Sequence, residues 1–561
     1  MKINFPFLSY KYNAGFIFQT LDINLKNKLL QPCFILLCFL FPLVMESQTL
    51  DVNSNYHTFT DALDRTIHTE KEKSNIPICV NPENPKCFLF RSKPLVFLTA
   101  TEHYGAVMNR PFRFDRYLRD AAEKHMTLTR LFLLFRELQS TMNPYSTCKP
   151  ESPDYIAPFL RTGPSKALDG QPKYNLDRWN PEFFERLQRF LSMASDYGII
   201  VEITLLSNTY SPNVWALNPL NSANNLNGIE EIEWPDYLTM RHPKLFERQM
   251  AYVRKIVECT KKYDNIIYEI CNEPGGAFPG KPSYPKPDEV NRWQMAIAKV
   301  IQEAEANLPY KHLIVGQEAF TYAPWEQPSD KSFGKLSLDV VNIHPLPNTT
   351  YRGKSYNMGE FMSKELKLGA LRDYCLATYN DPKPLNFDED NVASQYKDLD
   401  GWTIHRKRAW VTLLSGGNYD FIDFSIINYS ETGTENSQRY IRTWFKHLSE
   451  YIHSVDIVHA RPLTGWLKKK PQYTLEAVFA VEGQDYSIYL ADDRELGEPG
   501  AGTPIRDAIT LDLPPGEFKL SCYSPVTGLY SLATRVVGGK NLRFDLPEFQ
   551  NDIVVRITKV K

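Results

Sequence analysis

The fold is organised around the segment Asn265-Ile-Ile-Tyr-Glu-Ile-Cys-Asn-Glu-Pro-Gly275. It begins as an apolar, β-branched run and ends in a carboxylate, a proline and a glycine, which is the pattern of a buried strand running into a loop. The polar pair Asn272-Glu273 therefore lies where the strand emerges from the core. In barrels of parallel strands, catalytic groups are placed at that carboxyl end.

A second strand ending of this kind lies in Lys383-Pro-Leu-Asn-Phe-Asp-Glu-Asp-Asn391. Cleavage of a glycosidic bond needs one carboxyl group to protonate the leaving oxygen and one carboxylate to meet the developing oxocarbenium ion. Glu273 is accordingly the candidate general acid/base, and Glu389 is the candidate nucleophile. Glu360, which precedes a predicted helix, is a second candidate for the nucleophile.

Both glutamates also have simpler interpretations. Asn272-Glu273 could form a structural turn at the end of a strand. Asp388, Asp390 and Asn391 are calcium-like ligands, although no glycine or distal glutamate completes a calcium loop. Side chains alternate along a strand, so Asp388 and Asp390 should point away from the side that Glu389 occupies.

Strand-like and helix-like segments alternate through most of the chain. The predicted strands are the segment quoted above, as the fourth of eight, and residues 94–100, 128–135, 199–206, 313–316, 339–344, 384–387 and 419–424. Helical patterns separate them, and a long loop is expected at 136–177. Eight strands alternating with helices predict an α/β fold, a (β/α)₈ TIM barrel, at 89–460.

The pattern changes after Arg461. Short alternating strands such as Glu476-Ala-Val-Phe-Ala follow one another, with turns at Pro514-Pro515-Gly516 and no helical period between them. Residues 461–561 are therefore predicted to form a C-terminal antiparallel β-sandwich. Its acidic residues resemble turn residues, so we expect no catalytic group there.

Several further residues follow predicted strands or lie within them. Arg130 interrupts an apolar strand, and a buried guanidinium needs a carboxylate, for which Glu389 is the expected partner unless the pair is purely structural. His103 and His344 could bind sugar hydroxyls or orient a glutamate, or could be core histidines. Aromatic rings in loops after strands could stack on sugar faces or simply pack; these are Trp215, Trp325 and Tyr210.

Composition excludes some partners. The 561 residues carry a formal net charge of −2, which gives no electrostatic case for binding nucleic acid. Cysteines are scattered, with no CxxC or His-Cys cluster that would indicate zinc, so no metal or organic cofactor is expected. Cys79 and Cys87 flank a proline-rich turn and could pair.

The N-terminal segment predicts export. Lys26 and Lys28 precede an apolar run at 33–44, and a small residue, Ser47, follows it. This is the pattern of a secretory signal peptide with a long leader at 1–47, although a membrane anchor is the alternative. The run is short for a membrane span. The polar residues 48–88 are expected to form an N-terminal strap.

Taken together, the strand ending Asn272-Glu273-Pro274, the later strand ending in Glu389, and Arg130 on the second strand resemble clan A glycoside hydrolases, near the cellulase-like family 5. The resemblance covers about residues 90–450. It implies that Glu273 is the acid/base and Glu389 the nucleophile of a retaining mechanism, supported by Asn272, which would donate to a sugar 2-hydroxyl, and Arg130.

The sequence thus predicts a retaining glycoside hydrolase, secreted, periplasmic or on the cell surface, that acts on an oligo- or polysaccharide of plant or microbial origin. We expect Arg130 to keep Glu389 ionised, while burial and the Glu389 charge raise the pKa of Glu273. The alternatives are a carbohydrate-binding protein without catalysis and a transglycosylase that uses the same residues. Sugar, linkage and oligomeric state stay open.

Overall fold

The structure is a computed structural model, and its described residues belong to one compact unit, Phe59–Lys561. They are 76–102, 105–134, 152–276, 281, 283–321, 329–330, 336, 338–345, 349–358, 364–390 and 398–560. The signal segment, His103, Trp325, Glu360 and Asn391 lie outside these residues. No helix within the described ranges is long and apolar enough to cross a membrane.

Eight parallel strands form the barrel. They are β1 Leu98–Thr101, β2 Leu128–Phe132, β3 Ile200–Ser207, β4 Ile266–Asn272, β5 Ile314–Gly316, β6 Val340–Asn342, β7 Leu385–Phe387 and β8 Asn418–Ile422. Hydrogen-bonded ladders connect them in the order β1-β8-β7-β6-β5-β4-β3-β2. The ring closes between β1 and β2, where the N–H of Thr127 donates to Leu98 O (3.1 Å) and the N–H of Arg130 donates to Thr101 Oγ1 (3.1 Å). The predicted (β/α)₈ barrel is confirmed.

The helices lie outside the strands. They are α1 Phe114–Glu123, α2 Pro181–Asp196, α3 Pro243–Thr260, α4 Pro287–Ala304, α5 Leu368–Thr378, α6 Leu399–Leu414 and α7 Thr443–Ile452. In α2, the Asn180 side chain accepts from the N–H of Glu182, Pro181 occupies the first turn, and Gly198 follows with φ +72°. These are the start and stop signals on which the predicted helix depended.

Helix α6 differs from the others because every residue from Gly401 to Leu414 is buried. One side faces the barrel and another faces the C-terminal domain, so the helix has no solvent face and its apolar residues are not confined to one stripe. It nevertheless carries three consecutive basic residues, Arg406, Lys407 and Arg408. Each of them therefore needs a buried partner.

A three-stranded antiparallel sheet covers the amino end of the barrel. It consists of Cys79–Val80, Phe88–Phe90 and Lys93–Leu95, so the predicted first strand is divided between this sheet and β1. The ring of Phe88 stacks on Phe97 at 3.9 Å. Asn84 Nδ2 donates to Ile457 O (2.9 Å), and the N–H of Phe97 donates to Asn418 Oδ1 (2.7 Å). Cys79 and Cys87 are free thiols, so the pairing considered from the sequence is not formed.

The segment predicted to be a long loop contains a β-hairpin. Phe159–Lys166 pairs with Pro172–Trp179, and Gly170 turns between them with φ +77°. The Arg161 guanidinium lies 3.9 Å from the centre of the Tyr174 ring. Asp169-Gly170 is a hairpin-turn signal, but the polar composition around it favoured a loop in the sequence interpretation.

The C-terminal strands form two sheets. They are β9 Arg461–Leu463, β10 Thr474–Val481, β11 Asp485–Asp492, β12 Ala508–Leu511, β13 Glu517–Tyr523, β14 Thr534–Val537, β15 Leu542–Asp545 and β16 Asp552–Lys559. Six form a sheet in the order β9-β10-β11-β16-β13-β14, and β12 pairs with β15. Their inner faces share an apolar cluster that includes Ile488, Ile509 and Val555. The predicted antiparallel sandwich is confirmed.

Shorter elements complete the described chain. They are the α-helical turns Pro212–Trp215 and Glu435–Ser437, the 3₁₀ turns Ser222–Asn224 and Trp234–Leu238, the π-helical turn Gln438–Arg442, and the strands Gly275–Gly276, Phe320–Thr321, Ser329–Asp330, Thr349–Tyr351 and Lys354–Tyr356. Most of the strands follow barrel strands and line the carboxyl end of the barrel.

Candidate active site

Glu273 follows directly after β4 and has φ +47°, in the left-handed region that non-glycine residues rarely adopt. Strain of this kind persists where the surroundings hold it, often at active sites. Here Asn208 Nδ2 donates to Glu273 O (2.8 Å) and so holds the peptide. The side chain remains 18% exposed. The carboxylate is thereby fixed at the mouth of the barrel but stays reachable.

Glu389 lies two residues beyond β7, on the other side of the mouth, and is 4% exposed. Arg130 Nη1 donates to Glu389 Oε2 (2.6 Å), which is the contact expected from the sequence. A carboxylate oxygen of Glu273, a ring nitrogen of His344 and a carboxylate oxygen of Glu389 lie within 4.8 Å of one another. The two glutamates therefore face each other across a gap of a few ångströms.

Arg130 on β2 is fully buried and serves several acceptors at once. Its Nε and Nη2 donate to the two carboxylate oxygens of Glu269 (2.9 and 2.5 Å), and Nη2 also donates to Asn272 Oδ1 (2.9 Å). Asp388 Oδ2 lies 3.1 Å from Nη2. Burial opposes the Arg130 charge, but these carboxylates and Glu389 outweigh it and raise the Arg130 pKa well above its usual value. Arg130 is therefore the permanent cation beneath the site.

Asn272 contacts the protein on both sides of its amide group. Its Oδ1 accepts from Arg130, and its Nδ2 donates to Tyr210 Oη (2.7 Å) and to Ser207 Oγ (3.2 Å). Both amide hydrogens are thus used within the protein, and the side chain is buried. Asn272 therefore holds Tyr210 in this structure, and its hydrogen bond to a sugar hydroxyl stays a prediction.

His344 connects the two glutamates. Its Nδ1 lies 2.8 Å from Glu273 Oε1, and its Nε2 lies 3.4 Å from Asp388 Oδ2 and 3.8 Å from Glu389 Oε2. Burial opposes the imidazolium, but Asp388, Glu389 and Glu273 outweigh it and raise the His344 pKa well above its usual value. Of the two functions considered from the sequence, the geometry fits the orientation of a glutamate.

The pKa order of the two glutamates is the reverse of the expected one. Burial raises the Glu273 pKa, but hydrogen bonds from His344 and Tyr210 and the charge of Arg130 outweigh it and lower the pKa overall. At Glu389 burial prevails over His344 and Arg130, and the pKa is raised. The expectation was wrong because it left out the pairing of His344 with Glu273, which of the two glutamates His344 would orient being open from the sequence. The directions of these shifts favour a proton on His344 Nδ1, in an ion pair with Glu273.

Trp215 does not present a face for stacking. Its side chain is 7% exposed and packs against Tyr237, with ring centroids 5.2 Å apart. The structure thus shows a packing role for Trp215, and its contact with substrate stays a prediction. His103 and Trp325, the other two residues predicted to contact sugar, lie outside the described residues.

The sequence interpretation missed a set of carboxyl groups inside the barrel. They are Glu202 on β3, Glu269 on β4 and Asp420 on β8. Asp388 after β7, which was expected to point away from Glu389, joins them beside Arg130 and His344. Burial raises the pKa of Glu202 and of Asp420 well above the usual values, and neighbouring carboxylates add to it. Each interrupts or follows an apolar strand, which is the same signal that identified Arg130.

Two groups of these side chains have the proximity that a cation requires. In each group the candidate ligand atoms lie within 4.8 Å of one another; the groups are Glu273, His344 and Glu389, and Glu202, Glu269 and Asp388. Protein donors already contact both groups. Arg130 donates to Glu389 in the first. In the second, Thr204 and Arg130 donate to Glu269, and Asn342 Nδ2 donates to Glu202 Oε1 (2.5 Å). The set therefore works as an ionic network centred on Arg130.

The comparisons with known proteins agree with this geometry. The family model for cellulase (glycosyl hydrolase family 5) matches residues 159–404, a range that includes Glu273 and Glu389. The chain is a glycoside hydrolase. The predicted resemblance to cellulase-like clan A hydrolases is thereby confirmed.

Solved structures of glycoside hydrolases share the fold of this hydrolase. A glycoside hydrolase family 5 structure from Bacteroides vulgatus ATCC 8482 is 12% identical, with a TM-score of 0.54, and the match covers 86% of this chain and 94% of that one. A second structure, named only as a glycoside hydrolase, is 13% identical with a TM-score of 0.52, and covers 86% and 97%. No curated protein matches the chain.

Proposed function

We propose that this glycoside hydrolase is a retaining enzyme that cleaves the O-glycosidic bonds of a plant or microbial glycan. The observation that supports it is the 4.8 Å limit on the separation of the Glu273 and Glu389 oxygens. Retaining pairs have carboxyl groups about 5–5.5 Å apart, whereas inverting pairs are about 6.5–9.5 Å apart to admit a water molecule.

In the first step, a Glu389 carboxylate oxygen attacks the anomeric carbon and forms a glycosyl ester as the bond to the leaving oxygen breaks. Glu273 gives its proton to that oxygen, so the aglycone leaves as an alcohol. That proton reaches Glu273 from His344 Nδ1 across their hydrogen bond, so His344 is neutral and Glu273 is a carboxylate once the aglycone has left. Arg130 Nη1 fixes the oxygen of Glu389 to which it donates.

In the second step, Glu273 acts as a base. It takes a proton from a water molecule, whose oxygen attacks the anomeric carbon and releases the sugar, and Glu389 becomes a carboxylate again. Because two displacements occur at the same carbon, the product keeps the anomeric configuration. An acceptor hydroxyl in place of water would give transglycosylation with the same residues.

The proposal is tested on a panel of aryl glycosides and polysaccharides. On the substrate that is turned over, the first product should have retained configuration by NMR, and a 2-deoxy-2-fluoro glycoside of the same sugar should label Glu389, as located by peptide mass spectrometry. The matched control is Glu305→Gln, because Glu305 forms a buried pair with His312 (2.5 Å) at the amino end of the barrel.

Glu305→Gln should remain active and label as the wild type does, whereas Glu389→Ala should not label. An inverted first product, or label on another residue, would reject the retaining assignment. Product analysis in the same assay separates hydrolysis from transfer, since a transglycosylase would form longer saccharides in preference to free sugar.

Export from the cytoplasm is part of the same proposal. The apolar run at 33–44 after Lys26 and Lys28 supports a signal peptide. N-terminal sequencing of the protein recovered from the medium or the cell envelope should start near Gln48. A chain that keeps residues 1–47 in the cytoplasm contradicts the proposal.

A further inference from the structure

The residue that follows the proposed nucleophile is held by a clamp from α6. Arg408 Nη1 donates to both carboxylate oxygens of Asp390 (2.6 and 2.8 Å), and Tyr419 Oη donates to Asp390 Oδ2 (2.6 Å). The N–H of Asp390 donates to Asp420 O (2.9 Å). All these groups are buried. Asp390 thus has neither rotational freedom nor contact with water, and Glu389 is the next residue in the chain.

Arg408 is in turn held by two peptide carbonyl groups. Its Nε donates to Leu366 O (3.0 Å), and its Nη2 donates to Met358 O. Both carbonyls belong to the chain between β6 and β7. The guanidinium therefore ties that connection to Asp390 and leaves few positions in which it can bond to both.

The C-terminal sandwich holds this connection from outside the barrel. The carboxylate of Glu495, in the loop after β11, accepts the N–H of Leu366 (2.5 Å) and the N–H of Lys367 (3.1 Å). Lys367 has φ +45° at the start of α5, so the backbone there needs outside support. Leu366 consequently bonds through its N–H to the sandwich and through its carbonyl to Arg408.

Helix α6 is fixed to the sandwich by the residues next to Arg408. Arg406 forms a buried bidentate pair with Asp552 (2.9 and 2.9 Å), and Lys407 Nζ donates to Asp492 O (3.0 Å). The ring of Trp410 stacks on Tyr489, with centroids 5.4 Å apart and planes 11° from parallel. The sandwich therefore sets the position of α6 as well as that of the connection before α5.

We propose that Arg408 is a positioning residue for Glu389, and that the C-terminal sandwich takes part in catalysis by holding the connection before α5, and with it Arg408, through Glu495. The proposal rests on the proposed role of Glu389 as the nucleophile. Asp390 transmits the effect because the peptide it shares with Glu389 moves with its carboxylate. No group of the sandwich touches the substrate in this arrangement.

The first test is Arg408→Met, compared with Arg406→Met on the same buried helix. The assay uses an activated dinitrophenyl glycoside of the sugar that the panel identifies. Arg408→Met should lower kcat by about 10- to 100-fold with KM within about twofold, since only attack by Glu389 is misaligned. Arg406→Met should keep kcat within about threefold in the protein that remains folded, because Lys407 and Trp410 still fix α6 and Arg406 does not contact Asp390.

Loss of a buried charge partner can prevent folding, so paired variants complete the test. Arg408→Met with Asp390→Asn removes both charges, as does Arg406→Met with Asp552→Asn. The thermal midpoint should recover in both pairs, but kcat should stay low in the Arg408/Asp390 pair and close to the wild-type value in the Arg406/Asp552 pair. Recovery of kcat in the Arg408/Asp390 pair would show that Arg408 is merely structural and would overturn the proposal.

The role of the sandwich has its own variant. Glu495→Gln weakens the two contacts to Leu366 and Lys367 and should lower kcat by about 3- to 10-fold at unchanged KM. The control is Glu482→Gln, in an exposed turn of the same domain, which should leave kcat unchanged. Equal kcat in the two variants would overturn this part. Turnover that persists in Glu389→Ala would instead reject the nucleophile assignment on which the proposal rests.

Discussion

Glu273 Oε1 lies 2.8 Å from His344 Nδ1, so the proposed acid/base is hydrogen-bonded to a buried cation. A general acid is more commonly isolated in an apolar pocket. The proton needed by the leaving group is held by the pair. Both residues lie at the mouth of the barrel, Glu273 directly after β4 and His344 shortly after β6.

His344→Gln should shift the alkaline limb of the kcat/KM profile to lower pH. In the wild type the proton that the leaving group needs is lost from the Glu273–His344 pair with the raised pKa of His344. In the variant it is lost from Glu273 itself, and the ordinary pKa of a carboxyl group lies below that of an imidazole. The pH profile on an aryl glycoside with a poor leaving group measures the shift. His312→Gln, at the amino end, is the control, and an unmoved limb in His344→Gln would contradict the shared proton.

Glu273→Ala should impair substrates with poor leaving groups by about 10²–10⁴-fold, the usual contribution of a general acid. Activated dinitrophenyl glycosides need no proton in the first step and should lose much less. Added azide should restore turnover of the activated substrate, because a small anion can attack the glycosyl enzyme without a base. Equal losses on both substrates, with no azide effect, would remove Glu273 from this role.

Glu202→Gln should stabilise the protein at alkaline pH. The folded-state pKa of Glu202 is raised by burial, so the folded state binds more protons, and stability falls as pH rises above about 4.3, the ordinary glutamate value. A neutral glutamine escapes this loss and can still accept from Asn342. Thermal midpoints from pH 5 to pH 9 should diverge in favour of the variant as pH rises.

The control for Glu202 is Glu269→Gln, in the same barrel interior. Glu269 pairs with Arg130 through two hydrogen bonds, so this change should destabilise the protein at every pH in the series. If the two variants behaved alike, the interior carboxyl groups would not differ in charge as the structure indicates.

Arg130→Met should destabilise the fold by about 3–5 kcal/mol, the usual result of removing one partner of a buried ion pair. Glu269, Asp388 and Glu389 would all lose their contact to the cation. Denaturant titration followed by tryptophan fluorescence measures the loss. A change below about 1 kcal/mol would mean that these carboxyl groups are not charged together in the folded protein.

Much of the barrel could be predicted because its strands are apolar runs that end in polar residues. The same logic located Arg130 and its contact with Glu389. The Glu273–His344 contact could not be predicted, since it depends on the distance between two loops that are far apart in sequence. For the same reason the predicted pKa order of Glu273 and Glu389 was wrong, and the packing of Trp215 against Tyr237 could not be predicted.

The sheet that covers the amino end of the barrel has a consequence for synthesis on the ribosome. Asn84 bonds to Ile457, and Phe97 bonds to Asn418, so these early residues meet their partners only after more than 300 further residues have been translated. Contacts of such long sequence separation slow folding. The sheet at the amino end therefore reaches its final contacts only after the last barrel strand has been synthesised, although its residues are among the first that the ribosome makes.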